Sequence, residues 1–564
     1  MDYILRVNVE RKEIIKEGTA EEERKMGGRG LSARILNREI DPLCHPLGAE
    51  NKLIIAPGLL AGTMAPSFGR LSFGAKSPLT QGIKEANAGG TAAQKLDRLG
   101  IKAIIIEGQG QEKEFYILCL SHDKNEILPA GELRGKRNYE VASGLRQRFG
   151  EKVAVISIGP CGEMKMGAAS IAVTDQDGRP CRHAARGGLG AVMGSKMLKA
   201  IVVDDSGAPG VKLQDREVFQ KAVYHLVETM KNDKGTPRVN SEFGTPSVIQ
   251  FVNTVGSMPT RNYRAGSFEL AEQIMGARIK ELNSQRGGRM HGCMPGCVVQ
   301  CSIEFHGADG AHLTSAFEYE TIAMLGSNMG IADLDAIARF DRLCDELGLD
   351  TIEIGSALSQ AMASDLLKFG DTGGVLQALQ EMGEGTPLGR ILGQGTSFTS
   401  RALGLDRVPA VLGQAVPAHD PRACKAVGVT YASSPMGADH TAGIDYRDSL
   451  NKEGQVARSK NAQVLMAAMD SIGYCMLALP TKQPVIYPVI AQLLNGRYGF
   501  ALTDEEVSRI GIQTIKEELA FNLKAGIDLR RDPMPSFLKT EALPHQNSVF
   551  DVPRQEVETI WKNL

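Results

Sequence analysis

The chain has 564 residues, too many for one ordinary hydrophobic core, so two to four domains are expected. Its 42% hydrophobic and 23% charged residues exclude a disordered chain, and 64 lysines and arginines against 66 aspartates and glutamates leave no basic excess for nucleic acid. No apolar run reaches the roughly 18–20 residues of a membrane helix, and the start alternates apolar and polar residues rather than forming a leader, so a cytoplasmic protein with no membrane partner is expected.

In chain order, residues 1–207 read as β-rich. Runs of Ile, Leu and Val bounded by Gly, Pro or Asn predict strands over Tyr3–Val9, Lys52–Ala56, Ala103–Glu107, Phe115–Leu120, Val153–Ile158 and Ala200–Asp204. Glycine-rich loops are expected at Gly27–Gly30, Gly69–Gly74, Asn87–Gly90 and Gly187–Gly194, where bare backbone can approach a large polar ligand.

After Val211 the period becomes helical. Asp333–Leu347 reads as an amphipathic helix stopped by Gly348, and Asp350-Thr-Ile-Glu353 has the form of a capping box starting a helix that runs to about Phe369. Asn461–Met469 and Glu505–Lys524 also read as helices, with breaks expected at Asp371–Gly385 and across 404–421. The fold class is therefore α+β: a β-sheet base over 1–207, then two mostly helical domains over 208–405 and 406–564. One short echo recurs, Asp345-Glu-Leu-Gly348-Leu-Asp350 and Asp470-Ser-Ile-Gly473-Tyr-Cys475; on composition it reads only as two helix ends with left-handed glycines.

Three of the ten cysteines fall within nine residues, Cys293-Met-Pro-Gly-Cys297-Val-Val-Gln-Cys301. Such clustering in a cytosolic chain points to metal before disulfides. Zinc and iron–sulfur cubanes both need four ligands, so a fourth must come from nearby His291 or remote Cys475, and spacing alone does not separate the two metals. The other cysteines read as packing residues. Gly188-Leu-Gly190-Ala-Val-Met-Gly194-Ser-Lys196 fails as a phosphate loop, because Gly-Lys-Ser/Thr is reversed, and as a dinucleotide fingerprint, because its last spacing is one too long; its backbone N–H groups could still hold a phosphate.

Several segments together resemble the aldehyde ferredoxin oxidoreductase family. They are Asn51-Lys-Leu-Ile-Ile-Ala-Pro-Gly-Leu-Leu-Ala-Gly-Thr, Gly69-Arg70, Lys76-Ser-Pro-Leu-Thr80, Asn87-Ala-Gly-Gly90, Ile158-Gly-Pro and Arg186-Gly-Gly-Leu-Gly-Ala-Val-Met-Gly-Ser-Lys196. In the helical part they are Phe317-Glu-Tyr-Glu320, Cys344-Asp-Glu-Leu-Gly-Leu-Asp-Thr351 and Asp470-Ser-Ile-Gly-Tyr-Cys475. The resemblance implies a tungsten, or molybdenum, bis-pyranopterin on the β-sheet base, with Mg²⁺ bridging the pterin phosphates. By the same resemblance Asp345, Gly348, Leu349 and Asp350 contact one pterin, and Asp470, Gly473 and Tyr474 the other. Arg70, Asn87, Gly89, Gly90, His183, Ala184, Arg186 and Gly187 match positions near the pterins and the Mg²⁺. A [4Fe–4S] cluster would sit on Cys293, Cys297, Cys301 and Cys475. The usual Cys-x2-Cys-x3-Cys is here Cys-x3-Cys-x3-Cys; an ungapped match would fall on Met294, but thioether is a poor cluster ligand, so Cys293 is preferred. A Glu-x-x-His pair that holds an interface metal in some members is replaced by Arg339 and Arg342, which cannot ligate a cation.

The implied reaction is aldehyde plus water to carboxylate, with electrons passing through the cubane to ferredoxin or an iron–sulfur partner subunit. Glu320 is the expected general base, its pKa raised by burial; His440 is expected to polarise the aldehyde oxygen, and Tyr319 to orient. Homo- or hetero-oligomers are compatible with this. The alternatives are a same-scaffold enzyme acting on another substrate such as an aromatic acyl-CoA, and a non-catalytic zinc or iron–sulfur protein.

Overall fold

Aliphatic runs in the first 205 residues build two sheets with the same plan. The computed structural model describes residues 2–110, 114–481, 486–562 and 564. In the first sheet β1 (Tyr3–Asn8), β2 (Glu13–Gly18), β3 (Leu53–Pro57), β4 (Leu71–Lys76), β5 (Ile83–Ala88) and β6 (Ile101–Glu107) take the order β2-β1-β6-β3-β4-β5. In the second, β7 (Tyr116–Leu120), β8 (Asn125–Pro129), β9 (Ala154–Ser157), β10 (Ile171–Val173), β11 (Arg182–Ala184) and β12 (Leu198–Val203) take the order β8-β7-β12-β9-β10-β11. Each sheet has one parallel pair, β1 with β6 and β7 with β12, and is otherwise antiparallel. Helices Gly28–Glu39 and Asn138–Phe149 fill matching places before β3 and β9; Ala92–Arg98 and Leu189–Ser195 do so before β6 and β12. The β base is thus one strand arrangement used twice.

All six expected strands are present within two residues at either end. The unforeseen ones have physical reasons. β2 and β8 are edge strands with mixed polar sequence. β4 and β5 lie inside the protein yet carry Gly74, Lys84, Glu85 and Asn87, which weaken a strand pattern. Gly69–Gly74, expected as a loop, therefore mostly belongs to β4, and Asn87 to β5. Gly74 lets helix Gly28–Glu39 approach the sheet, since a Cβ there would lie 2.7 Å from Ser32 Cβ. Gly187–Gly194, also expected as a loop, is a 3₁₀ turn, Arg186–Gly188, running into helix Leu189–Ser195.

The helical part carries Leu334–Leu347, Thr351–Ala363, Gln455–Ile472 and Asp504–Lys524. Gly348 stops the first in the left-handed region at φ 71°. Asp350 caps the second, but the expected capping box does not close, because the Glu353 carboxylate accepts from Thr396 N and Ala415 N instead. The break expected over Asp371–Gly385 is a helix, Thr372–Glu384, capped by Asp371 and ended by Gly385. One core draws on 161–168, 249–438 and 534–560, so chain on both sides of residue 405 shares it; another draws on 59–68, 213–230, 293–301 and 465–507. The cysteine loop is the tip of an antiparallel hairpin, β13 (Arg289–His291) and β14 (Ser302–His306), completed by β15 (His312–Ser315). No helix among the described residues is long and apolar enough to cross a membrane.

Candidate active site and metal centre

The two Asp-x-x-Gly turns sit at matching places on the two sheets. Gly58, after β3, meets the turn at Gly473; Gly159, after β9, meets the turn at Gly348. A Cβ on Gly58 would lie 2.2 Å from Gly473 Cα, and one on Gly159 2.2 Å from the Leu347 carbonyl carbon. Arg70 N donates to Gly473 O at 3.2 Å, and Ser170 N, the equivalent residue, to Gly348 O at 2.9 Å. Asn87 pairs opposite Ser72 and His183 opposite Ala172, so the two are equivalent positions on β5 and β11. Arg70 Nε donates to Asn87 Oδ1 at 2.6 Å, and Asn87 Nδ2 to Asp470 Oδ1 at 3.1 Å. On the other side Ser170 Oγ bonds His183 Nδ1 at 2.7 Å, while His183 Nε2 lies 3.1 Å from Asp345 Oδ1.

Around these turns lies a buried set of charges. Arg29 joins Asp470 to Glu518. Arg186 Nε lies 3.2 Å from Asp350 Oδ2, and Lys84 pairs with Asp439. Arg182 Nε, Arg186 Nη1, Asp345 Oδ2, Glu320 Oε1 and His440 Nδ1 are buried with no aligned hydrogen-bond partner in the protein. Such atoms are costly to leave unpaired, so this set fits a large polar group bound between the sheets and the helices. Gly187 (φ 83°) packs on the Lys84 stem, and Gly90 (φ 101°) on Thr174 O. Ala184 is buried in β11, Leu349 bridges Ala169, and Asp350 N donates to Ala168 O. The Tyr474 ring does not join the set: it packs on Phe68 and its hydroxyl donates to Ala478 O, so only its backbone remains near the turn.

Ser67 brings the four cysteines of interest together. Its N–H donates to Gly296 O in the hairpin tip, and its carbonyl accepts from Cys475 N at 3.0 Å. Cys293, Cys301 and Cys475 are buried and Cys297 is partly exposed. A Cβ on Gly89 would lie 3.2 Å from Cys293 Sγ. A hydrogen bond from Cys297 lowers the Cys293 thiol below its ordinary range against its burial, with Arg182 and Arg70 adding to the effect. His291, the other possible fourth ligand, has its Nε2 3.3 Å from Asp175 Oδ2. Among the described residues, ligand atoms fall within 4.8 Å in threes at Glu320, His419 and His440 and at Asp175, Asp177 and His291, not at the cysteines.

Glu320, on helix Tyr319–Met324, points Oε1 at two imidazoles: 3.1 Å from His419 Nε2 and 3.4 Å from His440 Nε2. Its Oε2 accepts from Ala418 N at 2.8 Å. Burial raises the carboxyl, as expected, but His440, His419 and the Ala418 N–H together outweigh it and hold Glu320 at about 2, which reverses the expected direction. Burial lowers His440, against the pull of Glu320. Tyr319 donates its hydroxyl to Ala418 O and so braces the segment that holds Glu320. His419 was invisible in the sequence, where Pro417-Ala-His419-Asp420 matches no motif; so were Ser170, Arg29 and Arg182.

Residues 4–205 match the family model for the aldehyde ferredoxin oxidoreductase N-terminal domain, and residues 221–562 the model for domains 2 and 3 of the same enzymes. The chain belongs to the aldehyde ferredoxin oxidoreductase family. It is 32% identical to the tungsten-containing aldehyde ferredoxin oxidoreductase of Pyrococcus furiosus, over 96% of this chain and 91% of that one, and 33% identical to its Thermococcus kodakarensis counterpart over the same shares. It is also 28% identical to a Pyrococcus furiosus aliphatic sulfonate oxidoreductase, WOR-like subunit, over 90% of this chain and 83% of that one. The active site complex BamBC of benzoyl coenzyme A reductase, solved with 1,5-dienoyl-CoA, shares the fold: TM-score 0.82 at 19% identity, over 99% of this chain and 93% of that one. Membership in the aldehyde ferredoxin oxidoreductase family makes the protein an oxidoreductase built on a β base and helical domains.

Proposed function

We propose that this protein oxidises aldehydes to carboxylic acids at a tungsten, or molybdenum, bis-pyranopterin centre, and passes the electrons through one [4Fe–4S] cluster to ferredoxin or an iron–sulfur partner subunit. The observation that carries the reading is the convergence of Glu320 and His440, each with a buried polar atom left without an aligned partner.

The bound pterin centre would supply the two-electron acceptor. The twin turns at Asp345–Asp350 and Asp470–Tyr474 would hold one pterin each, with Arg70, Asn87, His183 and Arg186 beside the phosphates and their Mg²⁺. Cys293, Cys297, Cys301 and Cys475 would hold the cubane. Glu320, kept ionised by its neighbours, takes a proton from water as it adds to the aldehyde carbon. His440 donates to the aldehyde oxygen and stabilises the charge developing there.

The test is an anaerobic assay of aldehyde-dependent viologen reduction by metal-replete protein. Turnover of simple aldehydes supports the reading. No aldehyde turnover, with activity toward an aromatic acyl-CoA or an aliphatic sulfonate instead, would replace it.

A further inference from the structure

Three consecutive residues of β5, the strand that carries Asn87, grip the segment that leads into His440. Ile83 N donates to Asn522 Oδ1 at 2.8 Å, and Asn522 Nδ2 donates to Pro435 O, also at 2.8 Å. Glu85 N donates to Met436 Sδ at 3.2 Å. Between them Lys84, wholly buried, pairs through Nζ with Asp439 Oδ2. Asp439 immediately precedes His440 and caps its turn: Oδ1 accepts from Thr441 N at 3.1 Å and from Thr441 Oγ1 at 2.7 Å. One oxygen of this carboxylate thus serves the turn and the other serves the lysine. Gln414 Nε2 donates to Ala438 O at 2.6 Å, one residue before Asp439. A Cβ on Gly187 would lie 2.3 Å from Lys84 Cγ, so the bare glycine lets the lysine stem pass.

A lysine inside a buried strand is costly unless its charge is matched, and the match here stands one peptide away from the imidazole. Burial raises the Asp439 carboxyl, but Lys84, Arg186 and His440 outweigh it and hold it well below the usual carboxylate range. Burial lowers His440. Of the charged and titratable groups facing it, Glu320 and Asp439 oppose that effect, while His419 and Arg186 add to it. An unbalanced anion at Asp439 would therefore favour the imidazolium, which would hold Glu320, 3.4 Å away, in an ion pair instead of leaving it free to accept a proton. We propose that Lys84 is a positioning residue for His440: its pairing with Asp439 anchors the histidine's turn to β5 and balances the carboxylate charge that the turn brings to the site, an inference that rests on His440 acting at the aldehyde oxygen. Lys84 touches none of the reacting atoms and acts through Asp439.

The test uses the metal-replete enzyme, with Lys84→Met, Asp439→Asn and the double variant Lys84→Met/Asp439→Asn each checked for metal and iron content. The substituted asparagine keeps an oxygen for the Thr441 N–H, so the double variant removes the charge pair and leaves the cap. In Lys84→Met the acid limb of the kcat–pH profile should move up by about one pH unit, which makes the rate on that limb about tenfold lower. The double variant should bring the limb back toward its wild-type position; a double variant as impaired as Lys84→Met would mean that Lys84 only fills space, and would overturn the proposal. A second readout needs no turnover: nuclear magnetic resonance titration of isotope-labelled histidine, the His440 signal being the one missing from His440→Asn. Its midpoint should rise in Lys84→Met, fall in Asp439→Asn and stay near wild type in the double variant. If the wild type oxidises no aldehyde but these midpoints move as stated, the aldehyde reading falls and the hold of Lys84 on His440 stands. If they do not move, the proposal is overturned whatever the substrate. Should Lys84→Met not fold, Asp439→Asn and the double variant carry the same comparison.

Discussion

Asn87 and His183 are the same position in two copies of one strand arrangement, each reaching the aspartate of its own Asp-x-x-Gly turn: Asn87 to Asp470, His183 to Asp345. The local pseudosymmetry is geometric, not chemical. An amide serves one side and an imidazole the other, and Arg70 corresponds to Ser170. On the proposed reading, the two turns would present different charge to the two pterins, so the two pterins need not be equivalent in function. Exchanging His183→Asn should preserve the Asp345 contact through an amide donor, whereas His183→Ala should lose it; pterin content after purification tells the two apart.

Gly58 and Gly159 are the tightest points of this pseudosymmetry. A methyl group at either would run into backbone at 2.2 Å, and backbone cannot swing aside as a side chain can. Gly58→Ala and Gly159→Ala should each destabilise the protein by about 1–3 kcal/mol or more, the usual cost of overpacking, and lower pterin content. Thermal melting checks this. Gly131→Ala, where a Cβ meets nothing within 4 Å, is the control and should melt near the wild-type temperature.

Much of this was legible in the chain, and some could not be. Strands such as Ile101–Glu107 and Ala154–Ser157 announced themselves because aliphatic runs bury on both faces. The duplication of the sheets did not, because topology repeats here while side chains do not: Ser72 answers to Ala172, Asn87 to His183. The paired turns were visible as an echo, since each needs a glycine in the left-handed region. Glu320 and His440 were reached through family resemblance, but their electrostatics were not. Burial alone predicts a raised carboxyl; only the three-dimensional convergence of His440, His419 and the Ala418 N–H on Glu320 reverses it.

That reversal has a consequence for pH. The folded value of Glu320, about 2, lies below the roughly 4.3 of an unperturbed glutamate. Its ionisation therefore contributes stability that is fully present above about pH 4.3 and is lost as pH falls toward 2. The difference in unfolding free energy between wild type and Glu320→Gln should be constant from neutral pH to about 5 and shrink below that. A difference that instead shrinks between pH 6 and 7 would mean that Glu320 titrates high in its range, as burial alone would have it.

Glu320→Gln should retain metal and cluster while losing most aldehyde oxidation, by a factor on the order of 100 or more in kcat. Glu318 is the internal control. It accepts from Thr245 and lies 3.5 Å from Arg182, away from the two histidines, so Glu318→Gln should keep most of the turnover. Equal losses in the two variants would remove Glu320 from its special role.

Cys475→Ala should abolish the paramagnetic signal of a reduced cubane, because Ser67 holds that cysteine against the hairpin tip carrying the other three. His291→Ala should leave the signal in place, its ring being engaged with Asp175. The opposite outcome would make His291 the fourth ligand.

Elemental analysis of protein purified without oxygen bears most directly on whether this chain is a pterin-metal enzyme. The expected result is tungsten or molybdenum together with about four irons per chain, the content of one cubane. Zinc alone, with neither heavy metal nor iron, would contradict it.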